Sequence, residues 1–193
     1  MHEALLEYIR SFATAPLTDS DIDLVKTLFV PKKLRKRQYF LQEGEICKLG
    51  GFIVKGAMRQ YSLDGRGTET IVQLLVENWW VGDRESFENE TPSTYYIDAW
   101  EETEVLLVSK YGFDAFKRIP AVADMDNTII NKHVSALQRR VRDSIGLTAA
   151  ERYESLMKTH PEFLQRFPQY LIASYLGIAN ETLSRIRHQA ANK

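Results

Sequence analysis

The chain has 193 residues, 44% of them hydrophobic and 26% charged, with a formal net charge of −1. That suffices for one large domain or two small ones with a real core. No run approaches the roughly 18 apolar residues of a membrane span, and no basic-then-apolar leader opens the chain, so a soluble cytoplasmic protein without membrane contact is expected. The single cysteine, Cys47, excludes an intramolecular disulfide framework and cannot by itself hold zinc or an iron–sulfur cluster.

Taken in order, Leu5, Leu6, Ile9 and Phe12 recur at helical spacing and predict a short amphipathic helix over residues 3–12. A second helix is predicted to begin at Thr18, where Thr18 and Asp21 have the spacing of a capping box, and to stop before Pro31. From residue 32 to 109 the texture changes to short strand-like runs, at 39–42, 51–54, 57–61, 68–75, 95–100 and 105–108, separated by turn signals such as Glu43-Gly44-Glu45 and Asp64-Gly65. This pattern predicts an antiparallel barrel or double-sheet roll, with Asp64-Gly65 as the strongest hairpin signal. The basic run from Lys32 to Arg37 is compatible with a nucleic-acid patch; the stronger reading is a solvated edge strand that charge protects from pairing. Trp79, Trp80, Tyr95, Tyr96 and Trp100 make an apolar ligand conceivable, although aromatics on such strands more often form core.

A short helix is predicted over 111–117, and the longest helical pattern follows at 121–145. Its apolar positions, Val122, Met125, Ile129, Ile130, Val134, Leu137, Val141 and Ile145, repeat by threes and fours, with Arg139, Arg140 and Arg142 beside them. Such a seam fits a two-stranded coiled coil better than a helix packed on its own domain. A homodimer is therefore expected through Met125, Ile129, Ile130, Val134, Leu137 and Val141. Gly146 should end this helix, a hinge is placed near 144–147, and Thr148 with Glu151 marks the next capping box.

The C-terminal stretch carries the most specific pattern. Leu171, Ile172, Tyr175 and Leu176 form one buried helical face, Gly177 suits a left-handed helix end, and Leu183 and Ile186 anchor a second helix. Asn180, Glu181, Ser184, Arg185 and His188 lie on the opposite side of that helix. Two short helices around a tight glycine turn make a helix-turn-helix, whose second helix would enter a DNA major groove. Charge agrees. Residues 132–193 hold 10 Lys+Arg against 5 Asp+Glu, whereas residues 1–131 hold 15 against 21. Phosphate binding needs that local excess.

The run Ile178-Ala179-Asn180-Glu181-Thr182-Leu183-Ser184-Arg185-Ile186, with Leu176-Gly177 before it, resembles the helix-turn-helix of the cAMP receptor protein/FNR (Crp/Fnr) family of bacterial transcription regulators. Asn180 and Ala179 replace the family's Arg and Ser. The roll resembles the family's cyclic-nucleotide-binding domain through Glu43-Gly44-Glu45, Phe52-Ile53-Val54-Lys55-Gly56, Asp64-Gly65 and Trp80-Val81-Gly82-Asp83. The resemblance implies an α+β chain: a β-roll effector domain with flanking helices (1–120), a dimerisation helix (121–145) and a helix-turn-helix domain (146–193). Only eight residues follow Arg185, too few for the family's β-hairpin wing, so a wingless domain is expected. The implied partners are double-stranded DNA, a second copy of the chain, and RNA polymerase.

The phosphate cassette departs from the family. Ser93-Thr94 stands where an Arg-Ser pair should clamp the cyclic phosphate, and Asp83 stands for a Glu. A buried phosphate without its Arg lacks a bidentate, charge-assisted partner. The expected effector, in a pocket around Gly82, Asp83, Ser93, Thr94 and Tyr95, is thus an unknown small molecule other than cAMP, or there is none. No enzyme, metal or cofactor is expected. The histidines are His2, His133, His160 and His188, so the roll cannot supply a two-His-one-carboxylate site. Gly-x-Ser-x-Gly and Walker patterns are absent, and Cys47 has no histidine nearby in sequence. DNA reading is assigned to Asn180, Glu181 and Arg185, with Thr182, Ser184 and Arg187 on phosphates. The alternative is a ligand-sensing or scaffold dimer that has lost specific DNA binding.

Overall fold

The structure, a computed structural model, describes residues 1–191; Asn192 and Lys193, the end of the expected 146–193 domain, lie outside the described residues. Two helices open the chain, α1 (His2–Arg10) and α2 (Asp19–Leu28). Thr18 caps α2 as expected: its hydroxyl accepts from the Asp21 N–H, and the Asp21 carboxylate accepts from the Thr18 N–H, satisfying two donors that the helix leaves orphaned. Leu5, Leu6, Ile9 and Val25 enter a core with Phe29, Phe52 and Phe116, all at most 1% exposed. Burying each of these rings contributes about 2–3 kcal/mol.

Eight strands follow: β1 (Val30–Leu34), β2 (Tyr39–Leu41), β3 (Leu49–Lys55), β4 (Met58–Leu63), β5 (Glu69–Leu75), β6 (Trp80–Val81), β7 (Tyr96–Ala99) and β8 (Thr103–Ser109). They form two antiparallel four-stranded sheets, ordered β1-β8-β3-β6 and β2-β7-β4-β5. Ile53, Met58, Leu75, Ile97, Ala99 and Val105 from the facing sides fill the space between them. The basic run begins in β1, which is indeed an edge strand. The expected hairpin at Asp64 exists but is longer than a two-residue turn. The Asp64 carboxylate accepts from the Arg66 and Thr68 N–H groups, and Gly67, not Gly65, takes the left-handed conformation at φ +79°. Strand β6 and helix α3 (Arg84–Asn89) escape the sequence reading because both are short and neither completes a periodic pattern.

Helix α4 (Lys110–Phe116) leads into α5 (Pro120–Gly146), which is buried at its start and more exposed toward its end. Its first turns bury Ala121, Val122 and Met125 against α1 and the roll, so Met125 packs within its own chain instead of the expected dimer seam. Four helices complete the chain: α6 (Ala149–Thr159), α7 (Pro161–Arg166), α8 (Gln169–Leu176) and α9 (Asn180–Ala191). The Thr148–Glu151 capping box forms as expected.

The C-terminal helices do not stand apart. Tyr61, Ile71, Leu74 and Val76 on the outer face of the β4-β5 hairpin share one core with Tyr153, Leu156, Phe163, Leu171 and Ile172. At the open edge of β5, the Ile71 N–H donates to Ser174 Oγ at 2.9 Å, and Arg140 Nη1 donates to the Val72 carbonyl at 2.6 Å. The Arg140 guanidinium also lies over the Tyr175 ring and donates to the Tyr175 carbonyl, so it ties α5 to both neighbours and does not flank a free seam. On the same outer face, Arg59, 8% exposed, bonds Asp98 twice at 2.9 Å and reaches Glu69. Trp100 Nε1 donates to the Arg166 carbonyl, and the Arg166 guanidinium forks to Glu77 and Glu101 across the junction.

This fork carries a testable pH dependence. Burial alone would raise the Glu77 carboxyl pKa, but the bonds from Arg166 and the Gly56 N–H outweigh it and hold the group below its ordinary 4.5. Stability from a depressed carboxyl is complete above the ordinary value and lost as pH falls through the depressed one. Arg166→Ala is therefore expected to cost about 1–3 kcal/mol near neutral pH. The gap to the unmodified protein should narrow from about pH 5 downward. Thermal unfolding followed across that range checks both, and a bundle that melts separately from the roll in the unmodified protein would contradict the shared core.

Candidate nucleic-acid interface

The turn between α8 and α9 is built by one residue conformation and one long-range cap. Gly177 sits at φ +64°, ψ +39°, the left-handed helix end that glycine enters without cost. A Cβ there would meet only Arg152 Nη1 at 3.8 Å, so the conformation, not crowding, requires glycine. The Gly177 and Ile178 N–H groups return to the Ser174 and Ala173 carbonyls, and Arg152 Nη1 donates to the Leu176 carbonyl at 2.8 Å. Ile178 packs into the angle beside Leu176, as its place after the glycine suggests.

Leu183 is fully buried and Ile186 half-buried, which fixes the rotation of α9 about its axis. Opposite them Asn180, Glu181, Arg185 and His188 are exposed, with Ser184 half-buried; Arg187, exposed, and Thr182, half-buried, border the buried face. All six expected DNA-contacting residues thus sit on one short helix, with the long polar ones outward. Among the described residues Arg185 bonds only the neighbouring Thr182 hydroxyl, at a long 3.4 Å. One residue not singled out in the sequence organises this face. Gln169, at the start of α8, donates from Nε2 to the Asn180 side-chain and main-chain oxygens at 3.2 and 3.0 Å, and its own Oε1 accepts from Arg187 at 3.4 Å. Gln169 and Arg152 lie 11 and 24 residues from the groups they hold, so spacing within the motif could not expose them.

Along α5, beyond Met125, Ile129 and Ile130 are half-buried, while Val134, Leu137, Val141 and Ile145 are 47%, 46%, 58% and 83% exposed. Among the described residues nothing covers that apolar line.

Between α5 and the roll lies a cavity of 390 Å³. Gly82, Asp83 and Tyr95 line it as expected; Ser93 and Thr94 do not, because Ser93 is buried beneath it and Thr94 faces outward. The Ser93 hydroxyl donates to Asp83 Oδ2 at 2.8 Å, and Asp83 Oδ1 accepts from the first-turn N–H groups of α3. Ser93, at the first position of the expected clamp, is therefore already bonded to Asp83. Of the cations on the wall, Arg84 pairs with Glu88 at 3.0 Å and Lys117 with Asp114 at 3.3 Å. The expected apolar role for the aromatics narrows likewise. Trp79, Tyr96 and Trp100 are packed in the shared core, leaving Trp80 and Tyr95 on the cavity wall. Among the described residues no group of His, Cys, Asp and Glu could hold a metal ion, and no helix is long and apolar enough to cross a membrane.

No curated protein sequence matches the chain. Residues 31–118 match the cyclic nucleotide-binding domain family. Among solved structures, FixK2 from Bradyrhizobium japonicum is similar at 21% identity and TM-score 0.65, over 85% of each chain. A CooA variant from Carboxydothermus hydrogenoformans is similar at 18% identity and TM-score 0.69, over 87% of this chain and 78% of that one. The catabolite activator protein of Thermus thermophilus aligns over 91% and 84% at 20% identity and TM-score 0.53. Residues 31–118 thus match the cyclic nucleotide-binding domain family, within a chain that has the fold of the Crp/Fnr transcription regulators.

Proposed function

We propose that the protein is a dimeric, sequence-specific DNA-binding regulator whose α9 reads the major groove. The observation that carries this reading is the exposed face of Asn180, Glu181 and Arg185 on a helix locked from behind by Leu183. Arg185 can donate to guanine O6 and N7, Glu181 can accept from cytosine N4, and Asn180 matches adenine N6 and N7. Gln169 supports the Asn180 role by holding its side-chain oxygen from one side, which restricts the amide's rotation. Thr182, Ser184 and Arg187 are assigned to phosphates, which set register without carrying sequence. RNA polymerase is the partner such a regulator would address.

Losing the Arg185 pair should cost about 1–3 kcal/mol and relax the preference at one base pair. Binding selection on randomised duplexes with the native protein and Arg185→Ala checks this. Identical motifs of equal strength from both would remove Arg185 from base reading, and binding without any sequence preference would favour a scaffold dimer.

The exposed line through Val134, Leu137, Val141 and Ile145 supports pairing of two α5 helices, since uncovered apolar area of this extent is uncommon on a monomer. Leu137→Asp places a charge in that seam and is expected to yield monomers in sedimentation. An unmodified protein that is already monomeric at micromolar concentration would overturn the dimer.

The 390 Å³ cavity supports an effector of a different kind from a cyclic nucleotide. Its wall combines aromatic and aliphatic side chains and Gln60, Gln73 and His133 with four carboxylates, Asp83, Glu85, Glu88 and Asp126, against the cations Arg84 and Lys117, a balance that suits a compact molecule without a phosphate. Calorimetry with cAMP is expected to show no micromolar affinity; binding at that level would restore a phosphate role to this cassette.

A further inference from the structure

The Asn180 amide can address a base edge in two opposite ways, and its neighbours decide which. An arginine only donates and an ionised glutamate only accepts, but an asparagine amide has a donor end and an acceptor end of nearly the same shape. Which end leads into a groove is therefore set by partners of fixed polarity. Gln169, the first residue of α8, lies beside Asn180, the first residue of α9, and carries the same ambiguity.

Two groups that cannot change polarity remove it. The Asn180 main-chain carbonyl only accepts, and it lies 3.0 Å from one end of the Gln169 amide. The Arg187 guanidinium only donates, and it lies 3.4 Å from the other end. Gln169 must therefore turn Nε2 to Asn180 and Oε1 to Arg187. Nε2 is also 3.2 Å from the Asn180 side chain, where a donor needs an acceptor, so Oδ1 faces α8. Nδ2 is the end left over, and among the described residues nothing accepts its hydrogens.

The opposite arrangement is worse at every contact. Reversing Asn180 alone would set N–H against N–H at Gln169. Reversing Gln169 as well would set its oxygen against the Asn180 carbonyl and its nitrogen against the guanidinium. The three bonds are exposed and individually weak, the long one from Arg187 above all. The two repulsions decide the orientation, and they sharpen when a duplex excludes water from this face.

We propose that Gln169 is a positioning residue for base reading: it holds the Asn180 amide with Nδ2 leading into the groove. This rests on the reading of α9 as a DNA-recognition helix and gives that reading a polarity. In the major groove a donor is matched by purine N7, guanine O6 or thymine O4, whereas cytosine offers only an amine. Oδ1 keeps one lone pair for N6, so adenine satisfies both ends in this orientation. The base under Asn180 is thus a purine read through N7, and cytosine is rejected.

Binding selection with Asn180→Ala locates the base pair concerned, as the position that relaxes. Duplexes with a purine there are then compared with duplexes carrying its 7-deaza analogue, in which a C–H replaces N7. The native protein should bind the analogue about three- to tenfold more weakly, the loss of one neutral hydrogen bond. Asn180→Ala should bind both alike. Gln169→Leu frees the amide and should shrink the penalty to about twofold or less, with selection at the other positions unchanged. A carboxylate only accepts, so Gln169→Glu should turn Asn180 round: the penalty disappears and cytosine becomes acceptable at that position. A pyrimidine selected there by the native protein, no relaxed position in Asn180→Ala, or a native protein indifferent to the analogue would each overturn the assignment of Nδ2, with residue 169 untouched. An equal penalty in the native protein and both Gln169 variants would overturn the positioning role. So would affinity lost evenly at all positions, which is what a damaged turn gives. A native protein that selects no motif would bring down the reading of α9 and this one with it. A motif that Arg185→Ala relaxes at its own base pair shows that α9 reads DNA whatever Gln169 does.

Discussion

A strand at the edge of a sheet carries backbone donors and acceptors that must find partners, and β5 is such a strand. The rest of the molecule is arranged around how that edge is closed. Ser174 of α8 takes the Ile71 N–H, and Arg140 of α5 takes the Val72 carbonyl. The apolar side chains that alternate with these groups, Ile71 and Leu74, then meet Leu171 and Ile172. Had the edge been left to water, the outer face of the β4-β5 hairpin would expose Tyr61, Ile71 and Leu74 together, and the C-terminal helices would lose the surface that completes their own core.

What the sequence could show and what it could not divide by distance along the chain. Both capping boxes, the glycine that ends α8 and the buried face of α9 depend on residues within four of one another, and all are present where spacing puts them. Most of the strands were legible because turn residues punctuate them; β6 and α3 were not, having two and six residues. The docking of the bundle depends on pairs 65 to 105 residues apart, such as Arg166 with Glu101 and Ser174 with Glu69. No periodicity encodes these. The same limit applies to Met125, whose spacing puts it in the seam although it packs in the core with α1, and to Ser93, whose place beside the cassette points to the pocket although Asp83 holds it beneath the wall.

Charge shows the same division. Counting Lys and Arg in the last third of the chain identifies a basic region correctly, but not which cations face water. Arg140, Arg152 and Arg166 act as cross-links whose partners are internal oxygens. Arg59 does the same on the outer sheet face, where Asp98, 4% exposed, would otherwise be a buried charge without a counterion. A guanidinium suits this work because its planar fork can address two acceptors at once while its stem adds to the packing.

Arg140 also turns α5 into a crankshaft. The residue lies between Leu137 and Val141, yet its guanidinium is held by carbonyls of β5 and α8. Turning the helix about its axis by one residue's worth of rotation, about 100°, would swing that guanidinium clear of both. The angular setting of α5 is therefore tied, through one guanidinium, to the edge of β5 and to the end of α8 from which α9 departs.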